Sequence, residues 1–113
     1  MGEVIKERQL FPVIDFAYHG LGSGDLDEDA WGVRSLYDQG IEMIVCQSFS
    51  KNFSFYNERV GAIHFVIKSE AVRPVIQSNL ADFARSVINQ PPMHGANIVA
   101  RVLSDPELKK EWK

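Results

Sequence analysis

Cysteine is nearly missing from this sequence, since Cys46 is the only one in 113 residues. An internal disulfide is therefore excluded. Cys46 ends the apolar run Met43-Ile44-Val45-Cys46 and reads as a small core hydrophobe, in a chain suited to a reducing compartment. Long apolar stretches are missing too. Nothing approaches the roughly 18 consecutive apolar residues of a membrane span, and residues 1–10 contain no secretory-type segment, so no membrane partner is expected. There is no block of basic residues and the net charge is −3, which argues against nucleic acid as a partner. The three histidines, His19, His64 and His94, have no ligand-like spacing to one another or to Cys46, so no metal is expected. No serine sits in a G-x-S-x-G elbow, which leaves a hydrolase triad without support. Asn52-Phe53-Ser54 matches the glycosylation acceptor pattern, but no secretory segment accompanies it.

What is present is enough for one domain or part of one: 45% hydrophobic and 24% charged residues, an ordinary globular balance. Three short apolar runs, residues 10–14, 43–46 and 62–67, are bounded by breakers and read as strands buried on both faces. Between the first two lie a glycine-rich loop, "GLGSG", and a helix over about 27–38 with acidic residues at its start and Gly40 at its end. Val72, Val75, Ile76, Leu80, Phe83 and Val87 recur at helical spacing and predict a long amphipathic helix with Pro74 in its first turn. "NQPP" stops it. A further helix is expected over about 94–103, and "SDPE" opens a last one with Ser104 as N-cap and Glu107 as its capping-box partner. Strand-helix-strand alternation predicts an α/β fold. "EVIKERQL" has the character of a helix's last turns and "LKKEWK" stops without a C-cap, so a segment of a larger domain is expected.

The stretch that carries chemistry is "CQSFSKNFSFYNERVG", residues 46–61. It places Lys51 just past an apolar strand, beside the hydroxyls of Ser48 and Ser50, with Arg59 following. A partly desolvated lysine near a second cation is suited to Schiff-base chemistry, and a guanidinium suits bidentate phosphate binding. In "FPVIDFAYHG", Asp15 stands at the end of the first apolar run and Tyr18 follows it, where open α/β sheets bind ligands. A capping aspartate and a solvated loop lysine are the plainer readings of the same residues. "GLGSG" has G-x-G-x-G rather than G-x-G-x-x-G spacing and reads as a mobile loop, not a phosphate cradle.

Taken together, "FPVIDFAYHG", "SGDLDEDAW", "SFSKNF", "YNERVG" and "PPMHGANIVARVLSDPEL" resemble the aspartate aminotransferases, in the class I family of pyridoxal-phosphate enzymes of fold type I. The likeness runs through nearly all of the chain. It implies part of the large, cofactor-binding domain of such an enzyme over residues 1–113, about three strands with flanking helices and no second domain. It also implies transfer of an amino group between aspartate and 2-oxoglutarate. By resemblance, Lys51 holds pyridoxal 5'-phosphate covalently and later shuttles a proton. Asp15 keeps the pyridine nitrogen protonated, Tyr18 hydrogen-bonds the ring's 3′-oxygen, and Ser48 and Arg59 form part of the phosphate cup. Arg85 is implied as the arginine for a dicarboxylic substrate's distal carboxylate, acting across a homodimer interface. The wording of "SFSKNF…YNERVG" resembles the cytosolic branch and implies a cytoplasmic location.

Four departures stand out. Ser54 replaces the family's usual glycine after "KNF", Asn89-Gln90 replaces a usual Ser-Asn, and Phe16 and His19 replace a small residue and a glutamine around Tyr18. The family's ring-stacking aromatic, its asparagine for the 3′-oxygen and its arginine for the substrate α-carboxylate have no counterpart in these residues. The isolated 113-residue chain is therefore expected to be inactive. Two other readings share the pattern: a truncated or diverged paralogue acting at most through subunit interaction, and another pyridoxal-phosphate class such as a decarboxylase.

Overall fold

The computed structural model describes residues 1–113. Helix α1 (Gly2–Glu7) leads into strand β1 (Val13–Phe16). Helices α2 (Leu26–Asp29) and α3 (Trp31–Asp38) precede strands β2 (Met43–Ser48) and β3 (Gly61–Val66). A short 3-10 turn, Glu70–Val72, opens α4 (Arg73–Val87), followed by α5 (His94–Ser104) and α6 (Pro106–Trp112). The α/β expectation holds, with three strands in the order β1-β2-β3. β1 and β2 are parallel, joined through α2 and α3. β2 and β3 are antiparallel, because residues 49–60 hold no helix to make the crossover that a parallel pair needs.

Several boundaries differ from the sequence expectation. The first strand lies at Val13–Phe16 rather than 10–14. The Leu10 amide is engaged with the Ile5 carbonyl at the end of α1, and Pro12 has no N–H to give a ladder, so pairing starts with Val13 opposite Ile44. The helix expected over 27–38 is broken at Ala30 into α2 and α3. Asp25 caps α2, its side chain accepting from the Asp27 and Glu28 amides at 2.8 and 3.1 Å. Gly40 ends α3 as expected, in the left-handed region at φ 70°. The cap of α6 is Asp105, which accepts from the Glu107 and Leu108 amides, and not Ser104. Pro106 holds the residue before it extended, which is the backbone an N-cap requires. Ser104 instead ends α5 with its hydroxyl donating to the Arg101 carbonyl.

The core is one-sided. Met43 is completely buried and packs with Val45, Ile5, Leu36 and Ile41, against which Ile14, Phe16, Val33 and Val66 lie. Strand alternation puts Val13, Asp15, Ile44, Cys46 and Ser48 on the opposite face. That face is largely open, with Val13 63% exposed, so the expectation of strands buried on both sides is not met in this chain. Cys46 belongs to this open face and is half-buried, rather than a member of the core.

Candidate active site at the carboxyl ends of the parallel strands

Parallel pairing brings the carboxyl ends of β1 and β2 to one edge of the sheet, the usual ligand edge of an open α/β layer. Asp15 lies within β1, opposite Cys46 and one residue before the strand ends at Phe16. Tyr18 follows on the turn after β1. Ser48 closes β2, and its Oγ accepts the Ser50 amide at 3.2 Å, which tightens the chain entering the Lys51 turn. The Ser54 amide donates to the Lys51 carbonyl at 3.1 Å and closes that turn.

The structure brings Lys51 and Tyr18 together: Nζ lies 5.4 Å from the Tyr18 ring centroid, within the range of a cation–π contact. The chain's four ion pairs are Arg34–Asp27, Arg73–Glu70, Arg101–Asp105 and Lys113–Asp25, so neither Lys51 nor Asp15 is committed to one. Arg59 sits in the same connection but is exposed, and its Nη1 donates to the Tyr56 carbonyl at 2.9 Å. Arg85 is in the last turn of α4, solvent-exposed and without a hydrogen bond or ion pair to the other five residues. Ser54 has a φ of 56°, a conformation that an L side chain adopts only with strain. That geometry gives a physical reason for glycine at this position.

Below the turn is an aromatic layer. Phe49 meets Phe53 edge-on at 5.6 Å, and Trp112 from α6 stacks on Phe53 at 4.6 Å. The Trp112 indole also donates to the Asn52 carbonyl at 3.1 Å. The Asn52 side-chain Nδ2 donates to the His19 carbonyl at 3.1 Å, so the atom a glycan would need is already engaged. Gln47 bridges two imidazoles, contacting His19 Nδ1 at 3.2 Å and His64 Nε2 at 3.1 Å, while His19 Nε2 lies 2.8 Å from the Leu26 carbonyl. These contacts fit a His19 protonated at Nε2 and accepting from the Gln47 amide at Nδ1.

Sequence reasoning did not single out Asn52, Gln47 or Trp112 as site neighbours. Asn52 and Gln47 lie inside the quoted stretch, so proximity to Lys51 was the available signal. Nothing local announces Trp112, 60 residues from Asn52.

The glycine-rich loop is tethered, contrary to the expectation of mobility. Asp29 accepts from the amides of Gly20, Gly22 and Ser23 and from the Ser23 hydroxyl, at 2.7 to 3.0 Å. The Ser23 hydroxyl, followed by the Ser23 and Gly22 amides, holds this carboxyl at about 2 against an ordinary 3.8. The same amides are therefore occupied by the chain's own carboxylate and cannot cradle a phosphate.

Over its whole length, residues 1–113, the chain matches the family described as "Aminotransferase class I and II". It is 46% identical over 112 residues to the cytoplasmic aspartate aminotransferase of Caenorhabditis elegans, covering 99% of this chain and 28% of the relative. It is 47% identical over 110 residues to the cytoplasmic aspartate aminotransferase of Gallus gallus, covering 97% of this chain and 27% of that protein. The fold is similar to that of aspartate aminotransferase from Trypanosoma cruzi, with a TM-score of 0.93, 44% identity, and coverage of 98% of this chain and 28% of that one. It is equally similar, at a TM-score of 0.93 and 40% identity, to the aromatic-amino-acid aminotransferase of Burkholderia pseudomallei covalently bound to pyridoxal phosphate, again covering 98% and 28%. The chain thus spans a little over a quarter of the length of these relatives. With motifs, strand order and fold all in agreement, the chain belongs to the class I and II aminotransferases.

Proposed function

We propose that residues 1–113 are part of the large, cofactor-binding domain of an aspartate aminotransferase that transfers an amino group between aspartate and 2-oxoglutarate. The observation that carries the reading is the Lys51 amine, free of any ion pair, over the Tyr18 ring, beside the parallel strands β1 and β2 that carry Asp15 and Ser48 on one face. An amine, a carboxylate, a phenol and a hydroxyl on one edge form the donor set that pyridoxal 5'-phosphate needs. The resemblance to aspartate aminotransferases supports the choice of substrate. The same fold in an aromatic-amino-acid enzyme makes the dicarboxylate preference a question for Arg85 rather than for the scaffold.

In this proposal Lys51 holds the cofactor's aldehyde carbon through its Nζ and afterwards carries the proton to and from the substrate Cα, a role contributing ~10²–10⁴-fold. When bound, pyridoxal phosphate supplies a ring that withdraws electrons from that carbon. Asp15 holds a proton on the ring nitrogen, and its carboxylate is stabilised by the positive charge it faces. The Tyr18 phenol donates beside Lys51. Ser48 Oγ, already accepting from Ser50, keeps its own proton to donate to phosphate. Arg59 adds charge to that cup once its guanidinium turns from the Tyr56 carbonyl. Arg85 pairs with the distal carboxylate of a substrate held by the partner subunit of a homodimer. The cytoplasm is the proposed location, as in the names of the curated relatives.

In the protein that contains these residues, borohydride reduction with pyridoxal 5'-phosphate should leave the cofactor fixed to Lys51, as read by peptide mass spectrometry. Lys51→Ala should abolish both the label and amino-group exchange. Label on another residue, or exchange undiminished in Lys51→Ala, would overturn the proposal.

A further inference from the structure

Asn52 stands between three segments that are distant in the sequence. Its side-chain Nδ2 donates to the carbonyl of His19, the residue after Tyr18, at 3.1 Å. Its own carbonyl accepts the Trp112 indole N–H at 3.1 Å, while Trp112 stacks on the neighbouring Phe53. Lys51 precedes it directly. The Nδ2 link is a hydrogen bond from the residue after Lys51 to the residue after Tyr18, beside the direct contact of the Lys51 amine with the Tyr18 ring.

The Oδ1 atom of Asn52 is buried without a hydrogen-bond partner. The donor half of the amide is what the position uses. Each of the two turns is also closed by a backbone bond of its own, and the Tyr18 side is tied further to Gln47 and Asp29. The Leu21 amide turns back to the Tyr18 carbonyl at 2.9 Å, and the Ser54 amide turns back to the Lys51 carbonyl.

We propose that Asn52 is a positioning residue, which with Trp112 behind it locks the Tyr18 turn to the Lys51 turn and so sets the Lys51–Tyr18 separation. The catalytic consequence rests on the function proposed above; the lock between the turns does not. Asn52 touches no reacting atom in this scheme. It acts by keeping the amine and the phenol in register before the cofactor arrives, which limits the reorganisation needed on binding.

The test has two arms. In cofactor-free protein, amide hydrogen exchange is compared between wild type and Asn52→Ala. Losing one such bond should raise exchange about fivefold in the 18–24 and 51–54 segments together. Trp112→Phe keeps the stacking on Phe53 but removes the indole donor, and should give a smaller rise in the same two segments. If exchange rises in neither segment, or in only one of them, the lock does not exist.

In holoenzyme, Asn52→Ala should retain cofactor on Lys51 and lower kcat about tenfold with KM little changed. It should also move the pH midpoint of the cofactor's absorbance band, which reports the surroundings of the Lys51 nitrogen. Cofactor on Lys51 with kcat and midpoint both unchanged would overturn the positioning role while leaving the function standing. Wild-type protein with no cofactor on Lys51 would overturn the function and the positioning role, while the exchange arm still decides the lock.

Discussion

The Lys51 edge and helix α4 use apolar residues in opposite ways. Around Lys51, Phe49 is buried and Phe53 is sandwiched among Phe49, Phe55 and Trp112. On α4, Val75, Phe83 and Val87 are 60, 63 and 65% exposed, and only Ile76, Leu80 and Ala84 turn partly inward. Both regions look apolar in the sequence. Periodicity says which residues share a face, but burial needs a second surface, and this chain supplies one at the loop edge and not along α4. The site's supporting contacts are therefore largely internal to these residues, whereas the outer face of α4 is not covered by them.

That contrast can be broken from the core outward. The largest stability effect should come from Leu36→Ala, since Leu36 is buried against Met43 and Ile5. A loss of about 2–5 kcal/mol is expected in chemical denaturation. Gly61→Ala comes next. A Cβ there would lie 2.6 Å from the Gln47 carbonyl oxygen, in backbone that cannot easily yield. The expected cost is about 1–3 kcal/mol, read by the same measurement.

Ser54→Gly should act the other way. Removing a side chain from a residue at φ 56° is expected to stabilise by about 1 kcal/mol, with the Lys51 turn kept. A destabilised Ser54→Gly variant would show that the side chain contributes more than its strain.

A narrower effect belongs to Asp29. Its folded-state value, about 2, lies below the ordinary 3.8, so its contribution is present above 3.8 and is lost as pH falls through about 2. Protection of the Gly20, Gly22 and Ser23 amides, measured against their intrinsic exchange at each pH, should fall over that interval, and Asp29→Asn should remove that fall. The smallest change is expected from Phe83→Ser, within about 0.5 kcal/mol, because the ring is already in water and the two residues have similar helix propensities. A large loss there would mean that α4 is covered in the protein as measured, and would erase the contrast.

Much of the fold was legible before any coordinates. The breakers around residues 43–46 and 62–67, the Gly40 stop and the proline in the first turn of α4 each act through the local backbone, so each could be read in place. The misses involve competition between neighbours. Ser104 and Asp105 both offer a capping oxygen, and Pro106 decides between them by forcing Asp105 to be extended. Leu10 is as apolar as Val13, but its amide had already been taken by α1. The "GLGSG" loop looked mobile because glycine permits motion, while the Asp29 carboxylate that fastens it lies in the next element.

The sequence by itself determined the family, the α/β class and the identity of the site candidates, because residue order records motifs directly. Tertiary structure alone decided which candidates meet. Parallel pairing of β1 with β2 carries Tyr18 to Lys51, and the docking of α6 brings Trp112 beneath the same turn. Arg85 remains apart on α4. The physical reason is that strand register and helix packing act between segments far apart in the chain, and no local pattern encodes the distance across which two side chains will face each other.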